Sequence, residues 1–361
     1  MLNLNIKKED LEKLPLELAK TIPSNWYYEK DYLSLEKEAI FFRTWQYACS
    51  AKELKNKGDY KLITLLDENL IIINTGDNKF SGYYNVCKHR SGPLAYENGN
   101  CKNFKCKYHG WTYNLEGQLI GTPEFDKVEN FEKSNFGLKS FKVDVWEDMI
   151  FYNLSEDEAI SLAQTFDGIK ERISPIDLKT KLFHTRIIYD VKCNWKVYAD
   201  NYLEGYHLTQ VHPELSDLLD YQNYVTEVFP YYSLQYSPFK SGENIYANSD
   251  DGQAFYYFVY PNFMLNILPN RLQTNLIVPI SETQTKVIFD YYYDNIENIK
   301  MIQDDLDYSD IVQQQDIQIC ETVQKNLASK AYHQGRLSVK RELGVHHFQN
   351  LVRDSYNSSL S

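Results

Sequence analysis

The sequence predicts an α+β fold in two domains, on three observations. From about residue 45 to 155 the chain reads as short alternating strands separated by turn signals. From 156 onward, strand candidates rich in Tyr, Phe, Val and Ile share the sequence with long helical stretches. Histidines, cysteines and carboxylates also gather in two separate clusters, one in each part. A chain of 361 residues has room for two domains, and 43% hydrophobic residues permit a large core.

In chain order, residues 1–44 read as mostly helical. Residues 8–20 carry Leu11, Leu14, Leu16 and Leu18, and Pro15 is expected to interrupt that helix or open a new first turn. Residues 33–42 place Leu33, Leu35, Ile40, Phe41 and Phe42 among charges. Residues 60–66 and 70–74 then read as strands, with turns at 67–69 and 75–78. Residues 155–173 read as helix and 189–198 as strand. Further strands are expected at 231–235, 255–260, 273–278 and 286–293, all rich in β-formers. A long helix is expected at 299–331.

Charge and composition exclude several classes. The net charge of −12, from 38 basic and 50 acidic residues, argues against a nucleic-acid surface. The longest purely aliphatic run, residues 70–73, is far too short to span a membrane. The first residues hold no apolar signal core, so a cytoplasmic protein is expected. Six cysteines in such a chain point to metal ligands or free thiols rather than disulfides.

The first cluster lies in the β-rich part. Cys87 and His89 are followed by Cys106 and His109, in the pattern C-x-H-x₁₆-C-x₂-H. Two short loops each present one thiolate and one imidazole. Such a set holds a [2Fe–2S] cluster with both thiolates on one iron and both imidazoles on the other. Structural zinc on the same two cysteines and two histidines is the alternative. Gly92-Pro93 and Gly110 supply turns beside both pairs, and Cys101 lies between them as a loop thiol.

The second cluster is His207 and His212, with Glu204 three residues before the first. Two imidazoles and a carboxylate form the ligand set of a non-haem Fe(II) centre with open positions. On a regular helix, residues five apart stand roughly 140° apart around the axis, at ~3.6 residues per turn. They share a metal only if the helix unwinds, bulges or ends between them. Pro213 fits a helix that stops there. Glu204 is within reach of the His207 side chain. The other histidines, His184, His333, His346 and His347, match no ligand spacing and read as structural.

With both motifs in this order and at this separation, the sequence resembles the α subunits of Rieske non-haem iron oxygenases over nearly its whole length. The resemblance implies an N-terminal helical segment, 1–44, packed with the catalytic domain. It implies a Rieske domain over 45–155 and a mononuclear iron domain over 156–361, in which a curved antiparallel sheet surrounds a long helix (helix-grip type). A [2Fe–2S] cluster on Cys87, His89, Cys106 and His109 follows, with Fe(2+) on His207 and His212 and O₂ as co-substrate. The family's third iron ligand sits in a D-x-x-x-C-E-like setting, which Asp316, Cys320 and Glu321 match. Asp316 is therefore the expected ligand; Glu321 is its rival, and an ordinary exposed helix charge the bland reading. Glu204 maps onto the carboxylate that bridges an iron-ligand histidine to a cluster histidine of the neighbouring subunit, here His207 and His109. Many members have Asp at that position, and Glu lengthens the arm. Asp200 is the other nearby carboxylate, and Asn201 a polar neighbour of the iron.

No cysteine set is left for a plant-type ferredoxin cluster, and no G-x-G-x-x-G fingerprint appears. The resemblance thus implies a terminal oxygenase component and a separate flavin- and iron–sulfur-containing NAD(P)H reductase, acting directly or through a ferredoxin. A head-to-tail homotrimer is implied as well. Residues 254–266, 274–276 and 287–291 look like the choline monooxygenase branch. Aromatic faces attract quaternary ammonium groups, so the first substrate expectation is a choline-, betaine- or carnitine-like compound, hydroxylated or N-demethylated. Tyr202, Tyr206, Tyr257 and Phe263 are the expected pocket residues; for most strand aromatics the competing reading is core. An aromatic acid or hydrocarbon is the alternative substrate. A Rieske electron-transfer protein and a zinc-stabilised binding module are the readings from other classes.

Overall fold

The structure, a computed structural model, describes residues 4–157, 160–212, 221–238, 253–268 and 270–360. It forms two compact units, one of Phe42–Leu162, the other of Met1–Phe41 with Ala163–Ser361.

In the first unit a seven-stranded sheet has the order β1-β10-β9-β4-β3-β2-β5. These strands are β1 Gln46–Ser50, β2 Asp59–Leu65, β3 Glu68–Gly76, β4 Lys79–Tyr84, β5 Gly99–Asn100, β9 Ser140–Trp146 and β10 Met149–Asn153. The short β6 Phe104–Lys105, β7 Thr112–Tyr113 and β8 Leu119–Gly121 form a second sheet. β3 is interior to its sheet, and Leu70, Ile71, Ile72 and Ile73 are all buried, so its aliphatic run is covered on both faces. The β3–β4 turn has positive φ at Asp77 and Asn78, the backbone that tight hairpins require. Ile71, Ile73 and Tyr83 share one core cluster with Cys87, Cys106, Trp111 and Tyr113. The two cysteine loops are thus anchored in the unit's own apolar core.

The second unit holds an antiparallel sheet of order β11-β17-β16-β15-β14-β13-β12. Its strands are β11 Leu182–Val191, β12 Val225–Val228, β13 Tyr232–Pro238, β14 Gln253–Val259, β15 Phe263–Leu268, β16 Arg271–Ser281 and β17 Gln284–Tyr293. The helices are α1 Lys30–Glu36, α2 Leu162–Thr165, α3 Ile169–Ile173, α4 Trp195–Tyr202, α5 Leu208–Val211, α6 Ile299–Leu327 and α7 Leu343–Leu360. The long α6 is tied to the sheet by Arg271–Asp305 (2.7 Å), Tyr293–Asp305 (2.6 Å), Tyr291–Ser309 (2.8 Å) and Tyr189–Asp310 (2.9 Å). Against another part of the sheet, Phe348 of α7 packs on Phe258 and Tyr260.

A buried charge pair fixes the helix that leads to the histidines. Glu36 and Lys196 are both fully buried and bonded to each other. Glu36 also accepts from Trp195 Nε1 at 2.7 Å and from the Tyr356 hydroxyl at 2.5 Å. α1, α4 and α7 therefore meet on one carboxylate. Stranding either charge of such a pair costs about 3–5 kcal/mol.

Several elements depart from the sequence expectation. Residues 8–20 form no continuous helix; Lys8–Leu11 is a single 3₁₀ turn. Arginine side chains take carbonyls that a helix would use: Arg353 donates to Asp10 and Lys20, and Arg336 to Ala19 and Glu17. The stretch 155–173 yields two short helices, α2 and α3, because Gly168 interrupts with φ 81°. Residues 195–198 are helix rather than strand, because Asn194 caps α4 through the Lys196 N–H at 3.0 Å. β15 and α7 are additional elements.

Candidate metal centres

The two cysteine loops are built alike. The Cys87 carbonyl accepts from Ser91 N–H and the Cys106 carbonyl from Gly110 N–H. Each loop closes one residue further on, Cys87 N–H donating to Gly92 O and Cys106 N–H to Trp111 O, both at 2.9 Å. Ser91 and Gly110 both have positive φ, so each loop turns through the left-handed region. A Cβ on Gly92 would stand 2.9 Å from Cys106 Sγ, so only glycine lets the loops approach this closely. Burial, with Cys106 adding to it, raises the Cys87 thiol pKa. The Tyr113 hydroxyl lies 3.4 Å from Cys87 Sγ and accepts from Lys88 N–H at 3.0 Å.

The rings of His89 and His109 stand 4.6 Å apart, and His89 stacks on Trp111 at 4.9 Å. Buried His89 Nδ1 has no hydrogen-bond partner among the described residues. Burial, His109 and Arg90 lower the His89 pKa, favouring neutral imidazole. An unpartnered ring nitrogen on a neutral histidine, beside a second histidine and two thiols, suits a metal cluster.

In the other unit, α4 ends at Tyr202 and α5 begins at Leu208. His207 is the residue before α5 and His212 the residue after it. The helix thus ends on both sides of a single turn, and the angular mismatch of a five-residue spacing disappears. Pro213 lies outside the described residues. Ring nitrogens of His207 and His212 and a carboxylate oxygen of Asp316 all lie within 4.8 Å of one another. Asp316 Oδ1 is 3.0 Å from His212 Nε2 and 3.6 Å from His207 Nε2.

The other nitrogen of each ring is occupied. His207 Nδ1 is 2.6 Å from Glu204 Oε1, and His212 Nδ1 is 2.6 Å from Gln315 Oε1. Both acceptors fix the tautomer with its proton on Nδ1, leaving the Nε2 lone pairs directed to the same place as Asp316 Oδ1. Asn201 Nδ2 donates to Asp316 Oδ1 at 2.7 Å and orients the carboxylate. Glu204 Oε2 also accepts from the N–H groups of Tyr206 and His207, so the carboxylate is held without a regular helix around it. Glu321 Oε1 accepts from Lys192 N–H at 3.0 Å, away from this cluster. Asp200 bonds to the Tyr27 hydroxyl at 2.6 Å and to Gln349; burial pushes its carboxyl up to about 7 despite those bonds.

Gln315 is absent from the sequence reading. Its signal was adjacency to Asp316, which means little until the helix is placed beside His212.

A cavity opens onto His207, His212 and Asp316, with Tyr202, Tyr256, Phe289 and Tyr308 in its walls. Of the four expected pocket residues, only Tyr202 lines it; its hydroxyl donates to Asn266 at 2.6 Å. Tyr206 is 57% exposed and does not line the cavity. Tyr257 and Phe263 are buried in core on the opposite face of their strands: Tyr257 meets Tyr232, and Phe263 meets Phe166. Side chains alternate along a strand, so neighbours Tyr256 on β14 and Asn266 on β15 face the cavity instead. Among the remaining histidines, His346 Nε2 bonds to the Leu14 carbonyl at 2.8 Å. Among the described residues no helix is long and apolar enough to cross a membrane.

Fold and donor sets together define a Rieske-type oxygenase. A Rieske [2Fe-2S] domain model matches residues 44–132, and the ring hydroxylating alpha subunit catalytic domain model matches 178–358. The chain belongs to the ring-hydroxylating oxygenase α-subunit family. It is 34% identical to the chloroplastic choline monooxygenase of Arabidopsis thaliana, over 94% of this chain and 84% of that protein. It is 30% identical to the carnitine monooxygenase oxygenase subunit of Acinetobacter baumannii, over 95% of this chain and 98% of that one. The solved structure of a quaternary ammonium Rieske monooxygenase involved in carnitine oxidation by gut microbiota matches with a TM-score of 0.86. That match has 29% identity and covers 96% of this chain and 99% of that one. Naphthalene 1,2-dioxygenase from Rhodococcus sp. shares the fold, with a TM-score of 0.74 at 16% identity and 94% coverage of each chain. The protein is thus an oxidoreductase with a Rieske cluster and Fe(2+) as cofactors and O₂ as co-substrate. Its second unit is the family's catalytic fold, with a curled antiparallel sheet.

Proposed function

We propose that this chain is a terminal oxygenase component that hydroxylates or oxidatively N-demethylates a small quaternary ammonium compound. The observation that carries this reading is the aromatic-walled cavity opening directly onto His207, His212 and Asp316. Choline and carnitine monooxygenases among the relatives support it. Cys87, His89, Cys106 and His109 would hold the cluster, and His207, His212 and Asp316 the mononuclear iron. When bound, the two centres supply O₂ activation and an electron. Glu204 and Gln315 hold the Nδ1–H of their histidines, and Asn201 steers the carboxylate, so the donors are set before metal arrives. Tyr202, Tyr256, Tyr308 and Phe289 replace water around the substrate and offer ring faces to a cation. Electrons would come from a separate reductase, in a cytoplasmic homotrimer of this chain.

Substrate-stimulated O₂ uptake with a surrogate reductase tests the reading. Choline-like cations should stimulate uptake more strongly than their neutral carbon isosteres, by about 0.5–2 kcal/mol in apparent binding. Equal stimulation by both would remove the reason for preferring a quaternary ammonium, and stimulation by aromatic acids alone would move the substrate to the aromatic class. Cys87→Ala and Cys106→Ala should each abolish the cluster's absorption and EPR signal; a surviving signal in Cys106→Ala removes that residue from the ligand set.

A further inference from the structure

Two glutamines in the cavity wall are fixed in complementary senses. Gln273 is 2% exposed and Gln313 is 3% exposed, and both line the cavity. The Gln273 amide group donates to Asn275 Oδ1 at 2.8 Å, which commits its NH₂ end. Its carbonyl Oε1 is buried and has no hydrogen-bond partner among the described residues. In Gln313 the committed end is reversed: Oε1 accepts from the Tyr198 hydroxyl at 2.7 Å. Its Nε2 is the buried group without a partner among the described residues. Among its buried polar ends, the wall therefore presents an acceptor at Gln273 and a donor at Gln313. Leaving either unmet carries the desolvation penalty of a buried polar group.

A hydroxyl has one proton to donate and lone pairs to accept with, and so is matched to a wall that offers both an acceptor and a donor. A carboxylate has no proton for the Gln273 carbonyl and would face its lone pairs. The cation that would otherwise draw a carboxylate into this wall is already balanced. Arg271 bonds to Asp305 at 2.7 Å, and the second oxygen of Asp305 takes the Tyr293 hydroxyl at 2.6 Å. Both members of the pair are buried.

We propose that Gln273 and Gln313 are specificity-determining residues that read a hydroxyl on the substrate, so that the preferred substrate is an ammonium alcohol rather than a carboxylate-bearing betaine. This inference rests on the quaternary ammonium reading above and narrows it. The aromatic walls take the methylated cation, and the glutamine pair takes the alcohol. The same preference would make the enzyme the consumer of an alcohol rather than of an acid already oxidised at that end.

Equilibrium binding by calorimetry tests it, on the enzyme carrying both metal centres, without oxygen or reductase. The probes are choline, propyltrimethylammonium (hydroxyl replaced by methyl), glycine betaine, γ-butyrobetaine and the neutral 3,3-dimethylbutan-1-ol. Choline should bind roughly ten- to a hundredfold more tightly than propyltrimethylammonium, the factor for leaving buried partners unmet. Both betaines should also bind more weakly than choline. In Gln273→Met and Gln313→Met the choline preference should shrink severalfold, while propyltrimethylammonium binding is kept or improved. Should either variant fail to fold, the wild-type ligand series still decides. Equal binding of choline and propyltrimethylammonium, or tighter binding of a betaine, overturns the hydroxyl reading and leaves the ammonium reading standing. Tighter binding of dimethylbutanol than of every ammonium probe overturns both, and is told apart because the cation itself then brings no gain.

Discussion

Asp316→Ala should lose the mononuclear iron and, with it, substrate-coupled O₂ uptake, while the cluster's absorption and EPR spectrum stay as in the parent enzyme. The expectation follows from charge and distance. Asp316 Oδ1 lies 3.0 Å and 3.6 Å from the Nε2 atoms of the two histidines, and it is the anionic member of the gathered set. Removing it leaves two neutral imidazoles for a divalent ion. Outer partners of metal ligands already cost about 10–100-fold in affinity when removed, so loss of a ligand should cost at least about a hundredfold. Gln315→Leu supplies the graded comparison. It frees the His212 ring to rotate and to change tautomer, and should weaken iron binding about 10–100-fold with the ligands intact. Iron per chain after mild chelation, read beside the cluster spectrum, separates the cases. Full iron and full activity in Asp316→Ala would transfer the role elsewhere, with Glu321→Ala as the next variant to measure.

The cysteine loops could be read in the sequence because their chemistry is local. Each loop carries one thiol, one imidazole and a turn residue within six positions, and the structure repeats the same carbonyl-to-amide closure in both. The histidines were legible as a pair, but only with a condition attached, that the helix end between them. The chain meets that condition by reducing the helix to one turn, α5. Asp316 depended on resemblance, because one aspartate among many on a long acidic helix has no local signature. Gln315 was invisible for a related reason: its role exists only when α6 lies beside His212. The pocket failed where periodicity carries no information. Residues 255–258 are all aromatic, so hydrophobic alternation does not tell which face is inward, and a one-residue choice exchanges Tyr256 for Tyr257. Helix α7 did leave a pattern, with Val345, Phe348, Val352 and Tyr356 at spacings of three and four, all buried. The strand assigned to 189–198 holds over 189–191, the end of β11, and then gives way to a cap: Asn194, before a β-former-rich run, starts a helix, and β propensity loses to a satisfied helix terminus.

Glu204→Gln should leave both metal centres and the assembly intact, yet greatly slow reoxidation of a pre-reduced cluster in a single turnover with substrate and O₂. Glu204 has one oxygen 2.6 Å from His207 Nδ1 and the other on the backbone N–H groups of Tyr206 and His207. Oε2 already takes two N–H groups, whereas Oε1 faces one ring nitrogen and keeps a second lone pair, so the group holds its own histidine and still has acceptor capacity for another N–H. We propose that this second N–H belongs to His109 of the partner subunit, and that the contact carries the electron between centres. A glutamine side chain here keeps the size but replaces one acceptor by a donor and removes the charge, whereas alanine removes the bridge altogether. Stopped-flow absorbance of the cluster reads the step directly. Unchanged reoxidation in Glu204→Gln would show that the charge is dispensable, and unchanged reoxidation in Glu204→Ala as well would reject the bridge. The subunit arrangement makes a further demand. Cys106→Ala chains lack a cluster but keep Glu204; Glu204→Ala chains keep a cluster but lack the bridge. Neither should turn over alone. In a head-to-tail ring mixed one to one, about a quarter of the directed interfaces pair an intact cluster with an intact Glu204. Activity should return to about that fraction of the parent's, in proportion to those interfaces. No recovery, once mass spectrometry shows that the chains have mixed, would place the transfer within a single chain and remove the partner's His109 from the path.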